Sequence, residues 1–144
     1  MIFSAQQTFS DQQIITATAR STNVIDLGAP GTPPRGAAPL NQDVGKGTPI
    51  PINVQVTEDF DNLTSLDVAI EVGATDALGT VLATQNILLA DLVAGKTLYM
   101  QCLPNGVDQR YLGLRYTVNG AAPTVGRVHA GISMGNQTNQ SVGP

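Results

Sequence analysis

An all-β chain, folded as an antiparallel sandwich or barrel, is what this sequence predicts. Three observations carry that prediction. Apolar and polar residues alternate with period two in run after run, the helical period is almost absent, and turn residues fall between the runs. A period of two is the mark of a strand with one buried face, because successive side chains point to opposite sides of the sheet.

Taken in order, the first expected strands cover residues 14–19 and 23–27. Residues 51–57 place Ile52, Val54 and Val56 on one face and Asn53, Gln55 and Thr57 on the other. Leu66, Val68, Ile70 and Val72 then alternate with Asp67, Ala69 and Glu71. Residues 81–87 and 97–103 are further strand candidates. Between them, residues 88–94 suit one short helical turn, with Asp91 near its start and Gly95 just beyond its end. Leu112, Leu114, Tyr116 and Val118 alternate with Gly113, Arg115 and Thr117, and Val128, Ala130, Ile132 and Met134 with His129, Gly131 and Ser133. Turn signals separate these runs at residues 77–79, at residues 104–106 and at the Asn119-Gly120 pair, where a positive φ is needed.

Two segments break the pattern. Residues 28–51, GAPGTPPRGAAPLNQDVGKGTPIP, contain six prolines and five glycines in 24 residues. Proline lacks the ladder donor, so this stretch does not belong inside a sheet. Loops of this length are uncommon in compact domains unless they have a task or are disordered. A surface loop is one reading; an arm that orders against a neighbouring subunit is the other. Proline favours the arm, because it lowers the entropy lost on ordering. The second segment, residues 136–144, is polar and expected to be a mobile tail.

Composition narrows the function. The 144 residues fit a single domain, residues 1–144, with 42% hydrophobic but only 12% charged residues. Soluble chains average about 25% charged, so Thr, Asn, Gln, Ser and Gly must cover much of this surface. The net charge is −4, with −5 in residues 1–72 and +1 in residues 73–144. No basic stripe exists, so a nucleic-acid partner is not expected. No apolar run reaches the roughly 18 residues of a membrane span. Residues 1–13, MIFSAQQTFSDQQ, have neither a basic n-region nor an apolar h-region, so no signal peptide is expected. The single cysteine, Cys102, cannot form an internal disulfide, and its apolar neighbours suggest a buried thiol.

Few catalytic motifs withstand inspection. Residues 131–135, GISMG, match the G-x-S-x-G nucleophile elbow. That elbow needs a strand, a strained turn and a helix, whereas Ser133 lies within an alternating strand. The one histidine, His129, would share its face about 13 Å away at the usual strand rise, too far for proton transfer. The Gly45-Lys-Gly-Thr48 stretch departs from a phosphate loop at Leu40 and Gly47, and Pro49 and Pro51 forbid the following helix. The acidic run at residues 58–61 lacks the glycine and terminal glutamate of an EF-hand, and one histidine with one cysteine makes no zinc cluster. No catalytic residue, cofactor or metal is therefore expected. Arg110, Arg115 and Arg127 are more suggestive: if their strands pair, they form an arginine cluster suited to a protein interface.

The order of four stretches carries a resemblance. FSDQQIITATARSTNVIDLG (9–28), DVGKGTPIPINVQV (43–56), QRYLGLRYTV (109–118) and VGRVHAGI (125–132) resemble the capsid cement, or decoration, proteins of short-tailed bacteriophages. The likeness covers roughly residues 1–135; the proline-rich residues 29–40 lie outside its pattern. It implies an antiparallel β-sandwich, jelly-roll-like, with the long Pro/Gly-rich loop and extended termini. It also implies a homo-oligomer, dimer before trimer, on the outer surface of a virion, made in the cytoplasm of the host bacterium. The partner would be a major capsid protein of the HK97-like fold, whose neighbouring capsomers the chain would bridge. The main contacts would then come from residues 1–10 of the N-terminal arm (residues 1–11), with Phe3 and Phe9, and from residues 28–48, with Pro33, Pro34, Arg35 and Lys46. The alternative is a carbohydrate- or receptor-binding sandwich, in which Tyr99 and Tyr111 would have to serve.

Overall fold

The alternating runs become strands, and their apolar faces meet. The computed structural model describes residues 2–98 and 102–135. Its strands are β1 (Phe3–Ile14), β2 (Ala19–Arg20), β3 (Ile25–Asp26), β4 (Ile52–Glu58), β5 (Leu63–Gly73), β6 (Thr80–Leu88), β7 (Thr97–Leu98), β8 (Tyr111–Gly120) and β9 (Arg127–Ser133). One turn of 3-10 helix, Leu89–Asp91, follows β6 where the short helical turn was expected. One sheet has the order β1-β9-β4-β7; the other runs β2-β8-β5-β6, with β3 also on β8. Every pairing is antiparallel. Counting β2 and β3 as one interrupted strand, the partners nest as first with last, second with next to last, and so inward. That nesting is the jelly roll, two four-stranded sheets face to face.

The core lies between the sheets. Ile52, Val54, Val56, Val128 and Ala130 point into it from one side, and Leu66, Val68, Val72, Leu112, Leu114 and Tyr116 from the other, all fully buried. Each large side chain removed from water contributes roughly 1.5–3 kcal/mol before the entropy of ordering is counted. One polar chain crosses the core. The Tyr116 hydroxyl lies 2.8 Å from Ser10 Oγ, and Ser10 Oγ donates to Gln13 Oε1 at 2.7 Å. Ser10 has a single proton to give, so Tyr116 donates to Ser10. Burial pushes the Tyr116 phenol well above its ordinary range, against a smaller opposing effect of Ser10. A tight corner sits at Gly126, φ +134°, where a Cβ would lie 2.4 Å from the Phe60 ring.

Several expectations change. Residues 1–11 are not a free arm, because Phe3–Ile14 forms the edge strand of the first sheet. The strand expected at 14–19 is absent: β1 ends at Ile14, half exposed, while Ile15 turns into the core. Met134 falls outside β9 and is 80% exposed. Cys102 is exposed rather than buried: it sits in an isolated bridge to Pro51, just before the start of β4. Of the strand expected at 97–103, Thr97–Leu98 is found; residues 99–101, Tyr99 among them, lie outside the described residues, as does the tail at 136–144.

Candidate interaction surface

The Pro/Gly-rich segment is built as a finger with a fixed root. Residues 28–43 are exposed without interruption. Gly31 and Leu40 exchange backbone hydrogen bonds of 3.2 and 2.8 Å, making the segment a small hairpin. Its tip is a four-residue turn closed by Gly36 N donating to Pro33 O at 2.8 Å. Pro34 supplies the fixed φ of the second position, and Arg35, φ +64°, occupies the third, where a left-handed residue is required. An arginine held there carries strain of roughly 1–3 kcal/mol.

Both legs of the finger are tied to the sandwich. On the first, Arg110 clamps Asp26 with two 2.8 Å hydrogen bonds, Asp26 accepts from Gly28 N at 2.9 Å, and Leu27 N donates to Arg110 O at 2.7 Å. The Arg110 guanidinium, and then the Gly28 amide, lower the Asp26 carboxyl to about 2. On the second leg, Val44 N donates to Val107 O at 2.9 Å. Gly45, φ +97°, lets the backbone pass Pro104, where a Cβ would lie 2.3 Å from the carbonyl oxygen. An open cleft of about 360 Å³ lies under the root, lined by Leu27, Pro30, Asn41, Gln42, Asp108 and Gln109 among others.

The expected arginine cluster does not form. Arg115 and Arg127 stand on strands of different sheets, so β8 and β9 never pair. Each arginine of the three takes its own acid. Arg110 holds Asp26, Arg115 holds Glu71 at 2.8 Å, and Arg127 holds Glu58 at 3.0 Å. Glu71 is 4% exposed, which makes that pair part of the sheet rather than an open contact. Phe9 is fully buried in the core and is unavailable to a partner. Phe3 packs edge-on against His129, with ring centroids 4.5 Å apart, and His129 Nδ1 lies 3.2 Å from Asp11 Oδ1. Pro33, Pro34 and Arg35 crown the finger, and Lys46, paired with Asp43 at 3.3 Å, stands exposed at its base.

Ser133 closes β9 with its side chain buried, and its Oγ meets no hydrogen-bond partner among the described residues. It does not sit at a strand-to-helix turn. Among the described residues, no group of three His, Cys, Asp or Glu side chains could hold a metal ion, and no helix is long and apolar enough to cross a membrane.

A protein-family model, Bbp16, matches residues 9–132, from the middle of β1 to the end of β9. The chain belongs to the Bbp16 family. Membership places it in a phage-related family. The Bbp16 match includes the finger, its root, all of β2 to β8, the second half of β1 and β9 up to Ile132. No curated protein matches this Bbp16 chain.

Proposed function

We propose that this Bbp16 protein is a structural virion protein, a cement that binds the outside of an HK97-like capsid and bridges neighbouring capsomers. The observation that carries the reading is the finger. Sixteen successive residues, 28–43, are exposed beyond a sandwich that ties one leg through the Arg110 side chain and the other through a backbone hydrogen bond. A fixed root and a preformed turn lower the entropy lost when the finger docks, which is how a small contact gains affinity. The order of sequence stretches shared with phage cement proteins supports the same reading. On it, the chain has no catalytic role and needs no cofactor. It acts at the virion surface as a homo-oligomer, dimer before trimer, with neither nucleic acid nor membrane as partner.

Mechanically, packed DNA pushes outward on the joints between capsomers. A protein that binds only the expanded shell stabilises it by mass action, and many copies add. The deciding experiment is co-sedimentation of the purified protein with expanded shells that lack it. Saturable, stoichiometric binding that raises the melting temperature of the shells is expected; absence of binding overturns the reading.

The cleft at the finger root favours one competing reading, a glycan- or receptor-binding module. Asn41, Gln42 and Gln109 present amides there, and Tyr111 lies nearby under the Arg110 guanidinium, 5.0 Å from ring centre. Hits on a glycan array, competed away by substitution of Gln42 and Gln109, would move that reading to the front.

A further inference from the structure

The basic residues of this molecule are not equally occupied. There are seven. Arg20, Lys46, Lys96, Arg110, Arg115 and Arg127 each have an acidic oxygen within 3.5 Å. Arg35 is the seventh, and among the described residues its guanidinium has neither an ion pair nor a hydrogen bond. It stands in the turn at the tip of the finger and is the single charged residue between Asp26 and Asp43. Both of those acids are already taken, Asp26 by Arg110 and Asp43 by Lys46.

The backbone supplies a second, independent observation. The third position of this turn needs a left-handed residue, and glycine or asparagine ordinarily fills it. Here an arginine fills it, at φ +64°. Its neighbours hold it there. Pro34 fixes the position before it, and the turn closes so tightly that a Cβ on Gly36 would lie 2.7 Å from Pro33 Cγ. The chain thus keeps a strained arginine where asparagine would make an easier turn. Strain of this kind collects at sites where a side chain has a task.

We infer that Arg35 is the anchor of the finger: it enters a small pocket on the shell surface and pairs with a carboxylate of the capsid protein. The inference rests on the cement reading above and adds to it the anchoring residue and the chemistry it seeks. Charge favours a carboxylate over a phosphate polymer or an anionic membrane. The chain is at −4 even with Arg35 counted, so an extended polyanion would meet one cation and then the repulsion of the body behind it. A single carboxylate meets the cation alone, because the finger carries it away from the sandwich. The planar guanidinium fork grips a carboxylate through two hydrogen bonds. Pro33 and Pro34 beside it, and Leu40, 65% exposed, on the second leg, give the apolar surround that keeps water from such a pair.

The test compares the full-length wild type, Arg35→Asn and Arg35→Lys in co-sedimentation with expanded shells that lack the protein. Asparagine suits the left-handed position, so Arg35→Asn is expected to melt no lower than the wild type and yet to bind shells about tenfold more weakly. A purely structural role would move both readouts the same way. Arg35→Lys keeps the charge without the fork and is expected to fall between the two. Amidating the shell carboxylates with carbodiimide and glycinamide is expected to abolish the difference between wild type and Arg35→Asn. If the wild type binds shells and Arg35→Asn binds them as tightly, or if the difference survives amidation, the anchor is overturned and the cement reading stands. Retention of the wild type but not of Arg35→Asn on phosphatidylglycerol vesicles or duplex DNA would assign the tip to phosphate and overturn the carboxylate. Self-association without shells that Arg35→Asn abolishes would put the acid on a second copy and overturn it too. A wild type that binds no shells overturns the cement reading, and the anchor with it.

Discussion

Side-chain partnerships were the least legible part of this protein. Arg110, Arg115 and Arg127 read in sequence as one expected cluster, yet each belongs to an acid 84, 44 or 69 positions away. Only the nesting of strands brings those pairs together, and nothing local encodes it. Tyr116 was legible as core from its alternation, but its hydroxyl partner Ser10, 106 residues distant, was not. That hydrogen bond makes a test. Tyr116→Phe is expected to cost about 1 kcal/mol, since Ser10 keeps Gln13 and loses one donor. It also changes the alkaline limb. The folded-state pKa of Tyr116 is raised, so its share of stability is intact below the unfolded value of about 10 and is lost as pH rises beyond it. Melting curves from pH 7 to 11 are therefore expected to fall more steeply for the wild type than for the phenylalanine variant.

Elements were legible where one face is buried and the strand is regular. β4, β5, β8 and β9 were found within one to three residues, because their inward rows are unbroken aliphatic or aromatic series. β1 escaped notice for two reasons. Its sequence, FSAQQTFSDQQI, is mostly polar, and three register shifts destroy the period of two that would betray a strand. The finger was legible as a break in the sheet, from its prolines, but not as a hairpin; a turn with arginine in the left-handed position is not written in propensity. Deleting residues 29–40 removes the tip while leaving the Asp26–Arg110 and Val44–Val107 ties of the root in place. The shortened protein is expected to melt within a few degrees of the parent and to bind expanded shells at least tenfold more weakly. Calorimetry and co-sedimentation check the two halves of that statement, and unchanged shell binding would remove the finger from the interface.

At the scale of the whole molecule, one core serves both sheets. Leu114, on β8, is fully buried in the one cluster that also holds side chains of β4 and β9. Leu114→Ala is expected to destabilise by about 2–5 kcal/mol. The loss should appear as a single transition, with circular dichroism and tyrosine fluorescence melting together, because neither sheet has a second hydrophobic face to bury. Separate transitions for the two probes would mean that the sheets are independent units. Period-two alternation and the turn residues between runs made the all-β class readable from the outset, whereas the order of strands within each sheet required the structure.

The pairing of the first strand with the last reaches into biosynthesis. Of the nine strands β1 is translated first and its neighbour β9 last, so the sheet they share is incomplete until every strand of the sandwich has been made. Each nascent copy thus waits with its apolar rows uncovered, and long-range closure of this kind is slow. A cell producing many copies at once would hold a standing pool of half-made sandwiches. Yield of folded protein should accordingly depend on expression rate and chaperone supply more than on the stability of the finished molecule.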